Sequence, residues 1–314
     1  MATDERPAVT TARPGGQLRS KILDDERWLG RMMVAPAILY VVLLVGFPFF
    51  LALYYSLTNV TVGSEEMRFV GLENFRRVVN NPTFWSAVKN TFIFAFVSQV
   101  VVVILAKALA MSLIKDFRGK WLVRLLILLP WVAAISLGSI GWLWIFDSIY
   151  SIINWTAQAI GVFGADTWPI WLGQPDLAMA SIITVHVWRL LPLATVIILA
   201  GLTSIPQDIL DAAAVDGAGF WRTLFEITVP LLLPILLVAF LFGIVFAFTD
   251  MIVIFVLTRG GPYDSTQVLA SLAYFTGIDG GDLAEGAAIS LFLFPLLAIV
   301  AAVFLRMARR AEVT

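Results

Sequence analysis

The sequence is short of the side chains on which most enzymes and metal sites depend. It has no cysteine, which excludes disulfides, thiolate metal sites and cysteine nucleophiles, and its single histidine is His186. Only 14% of its 314 residues are charged, and the net charge of -1 provides no basic footprint for nucleic acid. Neither a Gly-rich phosphate loop ending in Gly-Lys-Ser/Thr nor a His-Glu-x-x-His motif occurs. We therefore expect no catalytic site, cofactor, metal or nucleic acid on this chain.

Apolar residues, in contrast, are abundant. They make up 60% of the chain, with 23 Phe and 11 Trp, and the mean hydropathy is +0.90. This is more apolar surface than one water-soluble core can bury. A helix that crosses a bilayer needs about 20 apolar residues. Six blocks approach or exceed this length: Met32–Leu57, 90–114, Leu125–Phe146, Leu177–Ile205, Ile227–Leu257 and Gly286–Leu305. The sequence thus predicts an all-α integral membrane protein with six transmembrane helices.

The orientation of these helices follows from the distribution of Lys and Arg. The first block is too long for the apolar region of a cleavable signal peptide and no small-residue cleavage site follows it, so we expect it to be retained. With the N-terminus inside, the inner segments contain fourteen Lys and Arg and the outer segments five. Basic residues are retained on the cytoplasmic side. Both termini are therefore predicted to be cytoplasmic, in a multi-pass protein of the plasma membrane.

Two segments outside the blocks differ from the transmembrane region, residues 28–314. Residues 1–27 are rich in Thr, Pro, Arg and Asp and are predicted to be a disordered cytoplasmic tail. The outer segment, residues 147–176, contains no Lys or Arg. Its stretch SIINWTAQAIGVF has an apolar helical face but is too short to cross. We expect an interfacial helix there, with Trp168 and Trp171 at headgroup level.

A segment rich in small residues and acids, residues 204–228, interrupts the fourth and fifth blocks. Ser204 and Gln207 match a Ser-x-x-Gln capping box, which predicts a helix that begins here. Three alanines follow, and then Gly217 and Gly219, which can supply the left-handed turn that ends a helix. A second short helix is predicted from near Phe220. The product is a helix-turn-helix elbow on the cytoplasmic side.

The elbow has the composition of a docking surface. Its alanine face permits close approach of another protein, and Asp208, Asp211 and Asp216 surround it. An ordinary loop between membrane helices is the alternative. A DNA-reading elbow is disfavoured, because Arg222 is its only base against four acids.

The run DAAAVDGAGFWRTLFEITVPLLLP, which contains this elbow, resembles the EAA loop of binding-protein-dependent ABC importer permeases. The family pattern is roughly Glu-Ala-Ala, three residues, Gly, nine residues and Ile-x-Leu-Pro. Asp211 replaces the usual Glu and Val229 the usual Leu, and both changes are conservative. The stretches LAGLTSIPQD and FVLTRGGPYDST resemble the carbohydrate-uptake branch, in particular the maltose-permease-like first of two dissimilar permease subunits. The resemblance covers roughly residues 28–310.

The resemblance implies the type I ABC importer permease (MetI-like) fold and a set of partners. These are a second homologous permease subunit, two ATPase subunits that bind ATP and Mg²⁺, and an external sugar-binding protein. The imported sugar would be a disaccharide such as trehalose or maltose. By the resemblance, the elbow transmits closure of the ATPase to the membrane helices through six residues: Asp211, Ala212, Ala213, Asp216, Gly217 and Ala218.

A sugar pathway needs hydrogen-bonding and aromatic side chains that face a wet cavity. A lipid-facing arginine at mid-depth costs at least ~2.5 kcal/mol, so Arg189 should face protein or water, as should Lys107. His186 lies on the same helical face as Arg189. The candidates are Asn90, Gln99, Trp142, Trp144, Asp147, His186, Arg189, Asp250 and Tyr274. For each one a structural role is the alternative, such as an Arg189–Asp250 pair, a histidine satisfied by a carbonyl, or packing of the tryptophans.

Two other function classes compete with an ABC permease. An ion-coupled secondary transporter would use intramembrane acids as a relay, but Asp147 and Asp250 are predicted near the outer ends of their helices. That class also leaves the docking elbow without a purpose. A membrane-embedded enzyme would need carboxylates or histidines clustered at one depth, and the sequence shows no such cluster.

Overall fold

A computed structural model describes residues 26–64, 66–164 and 167–313, and every regular element in these ranges is a helix. The described residues form two compact units that divide between Tyr54 and Tyr55. The predicted tail lies outside the described residues except for its last two, which begin the first helix. That all-helical content is what the six apolar blocks predict.

Fourteen helices follow one another in the described residues, and three of the connections or extensions are π-helical turns. The helices are α1 (Glu26–Val41), α2 (Phe47–Ser56), α3 (Glu73–Asn80), α4 (Pro82–Ile114), α5 (Lys120–Val132), α6 (Ile135–Ile145), α7 (Ile152–Ala159), α8 (Pro175–Thr203), α9 (Gln207–Val215), α10 (Phe220–Arg222), α11 (Val229–Thr249), α12 (Ile252–Leu257), α13 (Leu269–Tyr274) and α14 (Leu283–Val313). The π-helical turns are Val42–Gly46, Thr223–Thr228 and Phe275–Asp279.

Five helical stretches of the described chain are long and apolar enough to cross a membrane. They are Trp28–Ser56, Pro82–Ile114, Pro175–Thr203, Phe220–Thr249 and Leu283–Arg310. They match five of the six predicted blocks within about five residues at most ends. The exceptions are the start of Pro82–Ile114, predicted at residue 90, and both ends of Phe220–Thr249, predicted at Ile227 and Leu257. Each is at least 28 residues long, which exceeds the roughly 20 residues needed to span the hydrocarbon layer.

The remaining block, Leu125–Phe146, is not one straight helix as predicted. It forms the end of α5 and α6, which meet at an angle of 97° and together have the length and composition of one broken span or a re-entrant loop. Pro130 lies in the last turn of α5 and removes one backbone hydrogen bond there. Ala133 and Ala134 then have non-helical backbone angles, with ψ 141° and 123°, so one helix ends and the next begins.

The core of the second unit is built from the long helices. α4 packs along α8, and α11 packs against α4, α8 and α14. Phe94, Ile182 and Phe248 are completely buried where these helices meet. The opposite face of α4 exposes Val97, Val100 and other large apolar side chains. Such a surface suits lipid rather than water.

A helix lies where an interfacial one is predicted, but it is shorter than the stretch that suggested it, and its position at the membrane surface stays a prediction. α7 has eight residues, and the hydroxyl of Ser151 caps it by accepting from the backbone N–H of Asn154 at 3.2 Å. The indole Nε1 of Trp171 donates to Asn154 Oδ1 at 2.8 Å. This hydrogen bond links α7 to the later part of the outer segment. The headgroup-level position of Trp168 and Trp171 stays a prediction.

Candidate functional site

The elbow between α8 and α11 has the predicted helix-turn-helix form, but its start differs from the prediction. Ser204 ends α8 and its hydroxyl donates to the carbonyl of Gly201 at 2.8 Å, so it does not cap α9. The capping-box interpretation is therefore wrong, because Ser204 has helical backbone angles that belong to the preceding helix. The residue before α9 is Pro206, and Gln207 donates instead to Asp211 Oδ1 at 3.0 Å.

The turn that ends α9 is a Schellman motif built on Gly217. The N–H of Gly217 donates to the carbonyl of Ala214 at 3.1 Å, and the N–H of Ala218 donates to the carbonyl of Ala213 at 2.9 Å. Gly217 has φ +73°, which L-residues with a side chain rarely adopt. Gly219, also predicted to supply a left-handed turn, has an extended backbone with φ -70°. One glycine thus fixes the angle of the elbow.

The six predicted coupling residues do not all face outward. Asp211, Ala212, Asp216 and Gly217 are exposed and Ala218 is half-buried, whereas Ala213 is buried. A docking surface on the elbow would therefore use the exposed residues, while Ala213 packs beneath them.

An exposed aromatic row that sequence reasoning missed follows the turn. Trp221 lies at the centre, with ring centroids 5.2 Å from Phe220 and 5.9 Å from Phe225. All three side chains are more than 60% exposed. Beside them, Arg222 Nε donates to Glu226 Oε2 at 2.9 Å. The sequence signal was three aromatics within six residues at the start of the fifth span.

Inside the bundle, the structure brings together three of the nine predicted pathway residues. His186 Nδ1 lies 2.7 Å from Asp250 Oδ2, and Arg189 Nη1 donates to the same oxygen at 3.2 Å. The two bases lie three residues apart on one face of α8. Asp250 directly follows α11, where the helix is interrupted, and its Oδ1 accepts from the N–H of Val253 at 3.3 Å.

This geometry contains the structural pair that the sequence left as an alternative, Arg189 with Asp250. The histidine is satisfied by the same carboxylate rather than by a backbone carbonyl. Since that carboxylate accepts at Nδ1, Nδ1 carries the proton. Within the described residues, the buried Nε2 of His186 has no hydrogen-bond partner. The ring of Phe94 lies 4.7 Å from the imidazole, edge to face.

A cavity of about 470 Å³ lies beside this cluster. Its walls come from α6, α8, the break between α11 and α12, α13 and α14. Arg189 and Asp250 are the two charged residues among the described residues that line it, and Thr249 and Ser290 add hydroxyl groups. The other lining residues are apolar: Ile135, Phe246, Met251, Ile252, Ala270, Ala273 and Leu293. The volume falls within the range of ordinary small-molecule sites.

Two of the other polar candidates serve local structure. Asn90 Nδ2 donates to the carbonyls of Ser265 and Gln267 at 2.9 and 3.0 Å, which ties α4 to the loop before α13. Asp147 Oδ1 accepts from the N–H groups of Ile149 and Tyr150, both at 2.7 Å. These contacts support the structural alternative for the two side chains, and their contact with a substrate stays a prediction.

Gln99 and the aromatic candidates are not among the described residues that line this cavity. Gln99 is completely buried, and within the described residues neither end of its amide has a hydrogen-bond partner. Trp142 stacks on Phe146, with ring centroids 5.3 Å apart, and Trp144 is 64% exposed. Tyr274 packs edge-on against neighbouring phenylalanines. Lys107 is half-buried on α4. Contact of any of these residues with a substrate stays a prediction.

Sequence reasoning missed Thr249 and Ser290, the hydroxyl groups of the cavity. Both are polar residues within long apolar spans, and that signal was available in the sequence. It could not show that helices separated by some 40 residues place the two side chains on one cavity wall. In the described part of the chain, no three His, Cys, Asp or Glu residues come close enough together to hold a metal ion.

The sequence matches one protein family, described as the inner membrane component of binding-protein-dependent transport systems, over residues 32–311. The match therefore includes the elbow, the His186–Asp250–Arg189 cluster and the cavity. It also places the chain as a multi-pass protein of the inner membrane.

Three relatives align over nearly their full lengths. The trehalose/maltose transport system permease protein MalF of Thermococcus litoralis is 33% identical over 93% of this chain and 97% of that protein. The sulfoquinovosyl glycerol transport system permease protein SmoG of Agrobacterium fabrum is 31% identical over 91% of this chain and 92% of that protein. The trehalose transport system permease protein SugA of Mycobacterium tuberculosis is 30% identical over 90% and 89%.

The fold is also similar to a solved structure. A bacterial ABC transporter involved in the import of the acidic polysaccharide alginate has a chain that superposes with a TM-score of 0.78 and 20% identity, covering 94% of this chain and 99% of that chain. The arrangement of long helices is thus the type I importer permease fold that the EAA-like run implies. By sequence and by fold, this chain belongs to the family of inner membrane components of binding-protein-dependent transport systems.

Proposed function

We propose that the chain is the permease subunit of an ATP-driven ABC importer that moves a sugar, such as trehalose or maltose, into the cytoplasm. It pairs with a second homologous permease, two ATPase subunits and an external sugar-binding protein. ATP and its Mg²⁺ bind to the ATPase subunits. The observation that carries this proposal is the elbow, because its exposed residues sit on a rigid turn that connects directly to a long membrane helix.

The mechanical argument rests on the stiffness of that connection. The two Schellman hydrogen bonds hold the turn, and α10 continues without a loop through the π-helical turn Thr223–Thr228 into α11. A displacement of the elbow is therefore transmitted along a continuous helix to Asp250. The helix is interrupted at this residue, which lies in one wall of the cavity. Closure of the ATPases would change access to the cavity in this way.

The choice of a sugar is supported by two of the relatives, which are named as trehalose or trehalose/maltose permeases. The cavity is compatible with such a ligand. It offers hydroxyl groups from Thr249 and Ser290 and N–H groups from Arg189, beside an apolar wall that suits the ring carbons.

An ion-coupled secondary transporter remains the alternative, and family membership favours the ABC permease over it. Uptake into vesicles separates the two classes. With the complete complex reconstituted and the binding protein added, uptake should require ATP and persist when the proton gradient is dissipated. Uptake driven by a proton gradient without ATP would contradict the proposal.

The elbow itself is tested by Gly217→Asp. The substitution places a charged side chain on an open, exposed turn, since a Cβ at Gly217 would meet nothing within 4 Å. We expect the variant to insert into the membrane but to lose the copurifying ATPase and ATP-dependent uptake. The physical reason is that a side chain there separates two closely apposed surfaces.

Gly63→Asp is the matched control. Gly63 also has a positive φ, +84°, with nothing within 4 Å of a Cβ, so the substitution adds the same charge to a backbone that is also left-handed. It lies on the predicted outer side, next to Val62, which hydrogen-bonds Gly281. This control should keep the ATPase bound. Normal uptake in Gly217→Asp, or equal loss of the ATPase in both variants, would refute the coupling role.

A further inference from the structure

The two charged residues that line the cavity are not equally accessible. The side chain of Arg189 is 21% exposed, whereas that of Asp250 is 2% exposed. The carboxylate is therefore turned into the protein, toward His186 and the N–H of Val253, and the guanidinium borders the cavity. Any ligand in the cavity meets the base first.

The positive charge of Arg189 is balanced by the carboxylate of Asp250. Arg189 Nη1 and Asp250 Oδ2 are 3.2 Å apart. His186 donates to the same oxygen from Nδ1 and is completely buried, so it does not line the cavity. No other acidic or basic side chain is among the described residues that line it. The cavity thus has an arginine at its wall but no net charge from its lining pair.

We propose that Asp250 sets the substrate charge class: by compensating Arg189, it makes the cavity select uncharged, polyhydroxylated sugars and reject anionic ones. This inference rests on the proposed function. An unpaired arginine is the side chain best suited to hold carboxylate, sulfonate or phosphate groups, because its planar N–H fork binds two of their oxygens at once. With Asp250 in place, an anionic sugar must compete with a carboxylate that is already bound.

A neutral sugar does not face this competition. The guanidinium has five N–H donors, so it can donate a hydrogen bond to a sugar hydroxyl while it keeps its hydrogen bond to Asp250. A hydroxyl group also does not repel the buried carboxylate. Asp250 is therefore a residue that determines specificity through Arg189, without itself having to touch the sugar.

The test uses the absence of cysteine from the chain, which allows one introduced thiol to report on the cavity. Ala270→Cys, on the apolar part of the cavity wall, serves as a common background in the purified complex. Its rate of labelling by a maleimide is measured against increasing trehalose or trehalose 6-phosphate, a neutral and an anionic sugar with the same scaffold. The measurement does not depend on the preference of the external binding protein.

Three further variants are compared in that background. Asp250→Asn keeps the shape and the hydrogen bond from His186 but removes the charge. We expect the protecting concentration of trehalose 6-phosphate to fall relative to that of trehalose by at least about tenfold. Arg189→Gln should shift the ratio in the opposite direction, because the carboxylate is then uncompensated. The double variant restores neutrality and should return to the preference of the unsubstituted pair.

The outcomes separate this inference from the proposed function. An unchanged ratio in Asp250→Asn, or a double variant that behaves like Asp250→Asn, would overturn the charge-class role. If Asp250→Asn fails to assemble, Arg189→Gln alone decides, since a shift toward the phosphate would be equally contrary. Protection by neither sugar, with ATP-driven trehalose uptake intact, would also overturn the inference and leave the proposed function standing. Failure of the proposed function shows instead as absence of ATP-driven uptake in the unsubstituted protein.

Discussion

A close contact between two glycines offers a quantitative test of how the cavity wall is built. Gly286, in the first turn of α14, packs against the backbone of Gly277 in the π-helical turn after α13. A Cβ added to Gly286 would overlap the Cα of Gly277 and would lie 2.8 Å from its N and 2.9 Å from the carbonyl oxygen of Ala273. All three neighbours are backbone atoms, so no side chain can rotate away. Gly286→Ala therefore requires the two segments to separate.

The size of this effect follows from the contact distance. Two non-bonded carbons prefer about 3.5–4.0 Å, so α14 must move by roughly 1 Å or more. Forcing an extra methyl group into packed structure typically costs about 1–3 kcal/mol. The movement also reaches the cavity, because the Ser290 hydroxyl donates to the carbonyl of Gly286 at 3.0 Å and Ala273 lines the same cavity. We expect lower stability and weaker sugar protection together.

The assay is thermal unfolding of the purified protein in detergent, followed by sugar protection of the Ala270→Cys reporter. Gly141→Ala is the matched control, since Gly141 also lies in a helix, α6, but a Cβ there would meet nothing within 4 Å. Alanine is a better helix former than glycine by about 1 kcal/mol. The control should therefore keep or slightly raise the unfolding midpoint.

Two results would refute the reasoning. The first is a Gly286→Ala protein that unfolds at the same temperature as the unsubstituted protein, which would mean that the glycines are not in contact. The second is an equal loss of stability in Gly141→Ala, which would mean that any added methyl group in these helices is harmful. Either result would remove the glycine contact as the feature that sets the distance between α13 and α14.

Two further substitutions test the hydrogen bonds of the second unit. His186→Leu removes the 2.7 Å contact to Asp250, and because a hydrogen bond to a charged group contributes about 1.5–3 kcal/mol, the thermal midpoint should fall; an unchanged midpoint would contradict the contact. Asn90→Leu removes both hydrogen bonds to the loop at residues 258–267. Hydrogen exchange should then accelerate in that loop but not in the elbow, and uniform exchange across the chain would contradict this local role.

Much of the fold could be predicted from the sequence because membrane crossing is a one-dimensional property. A run of apolar residues of sufficient length must form a helix in lipid, where backbone groups have no water to bond. Five blocks therefore became long helices close to their predicted positions. The turn at Gly217 was also predictable, since a glycine after a run of three alanines, a valine and an aspartate is a local stop signal.

Local rules failed where two local signals competed. The residues at 204 and 207 fit the capping-box pattern, but α8 continues to Thr203 and Ser204 is the residue that ends this helix. The block Leu125–Phe146 was apolar enough for one helix. The helix nevertheless ends at Val132, shortly after Pro130, and the following helix, α6, packs against α12. Which signal wins depends on packing partners that lie far away in the sequence.

The candidate site shows the same division more sharply. By itself, the sequence indicated that Arg189 should not face lipid, because its charge is too costly there, and it offered a pair with Asp250 only as one alternative. Only the tertiary structure decided that Arg189 and His186 contact the same carboxylate oxygen of Asp250, which lies 61 positions after Arg189. It also placed Arg189 and Asp250 beside one cavity. The physical reason is that hydrophobicity and helix propensity act along the chain, whereas a hydrogen bond between helices depends on how their surfaces fit together.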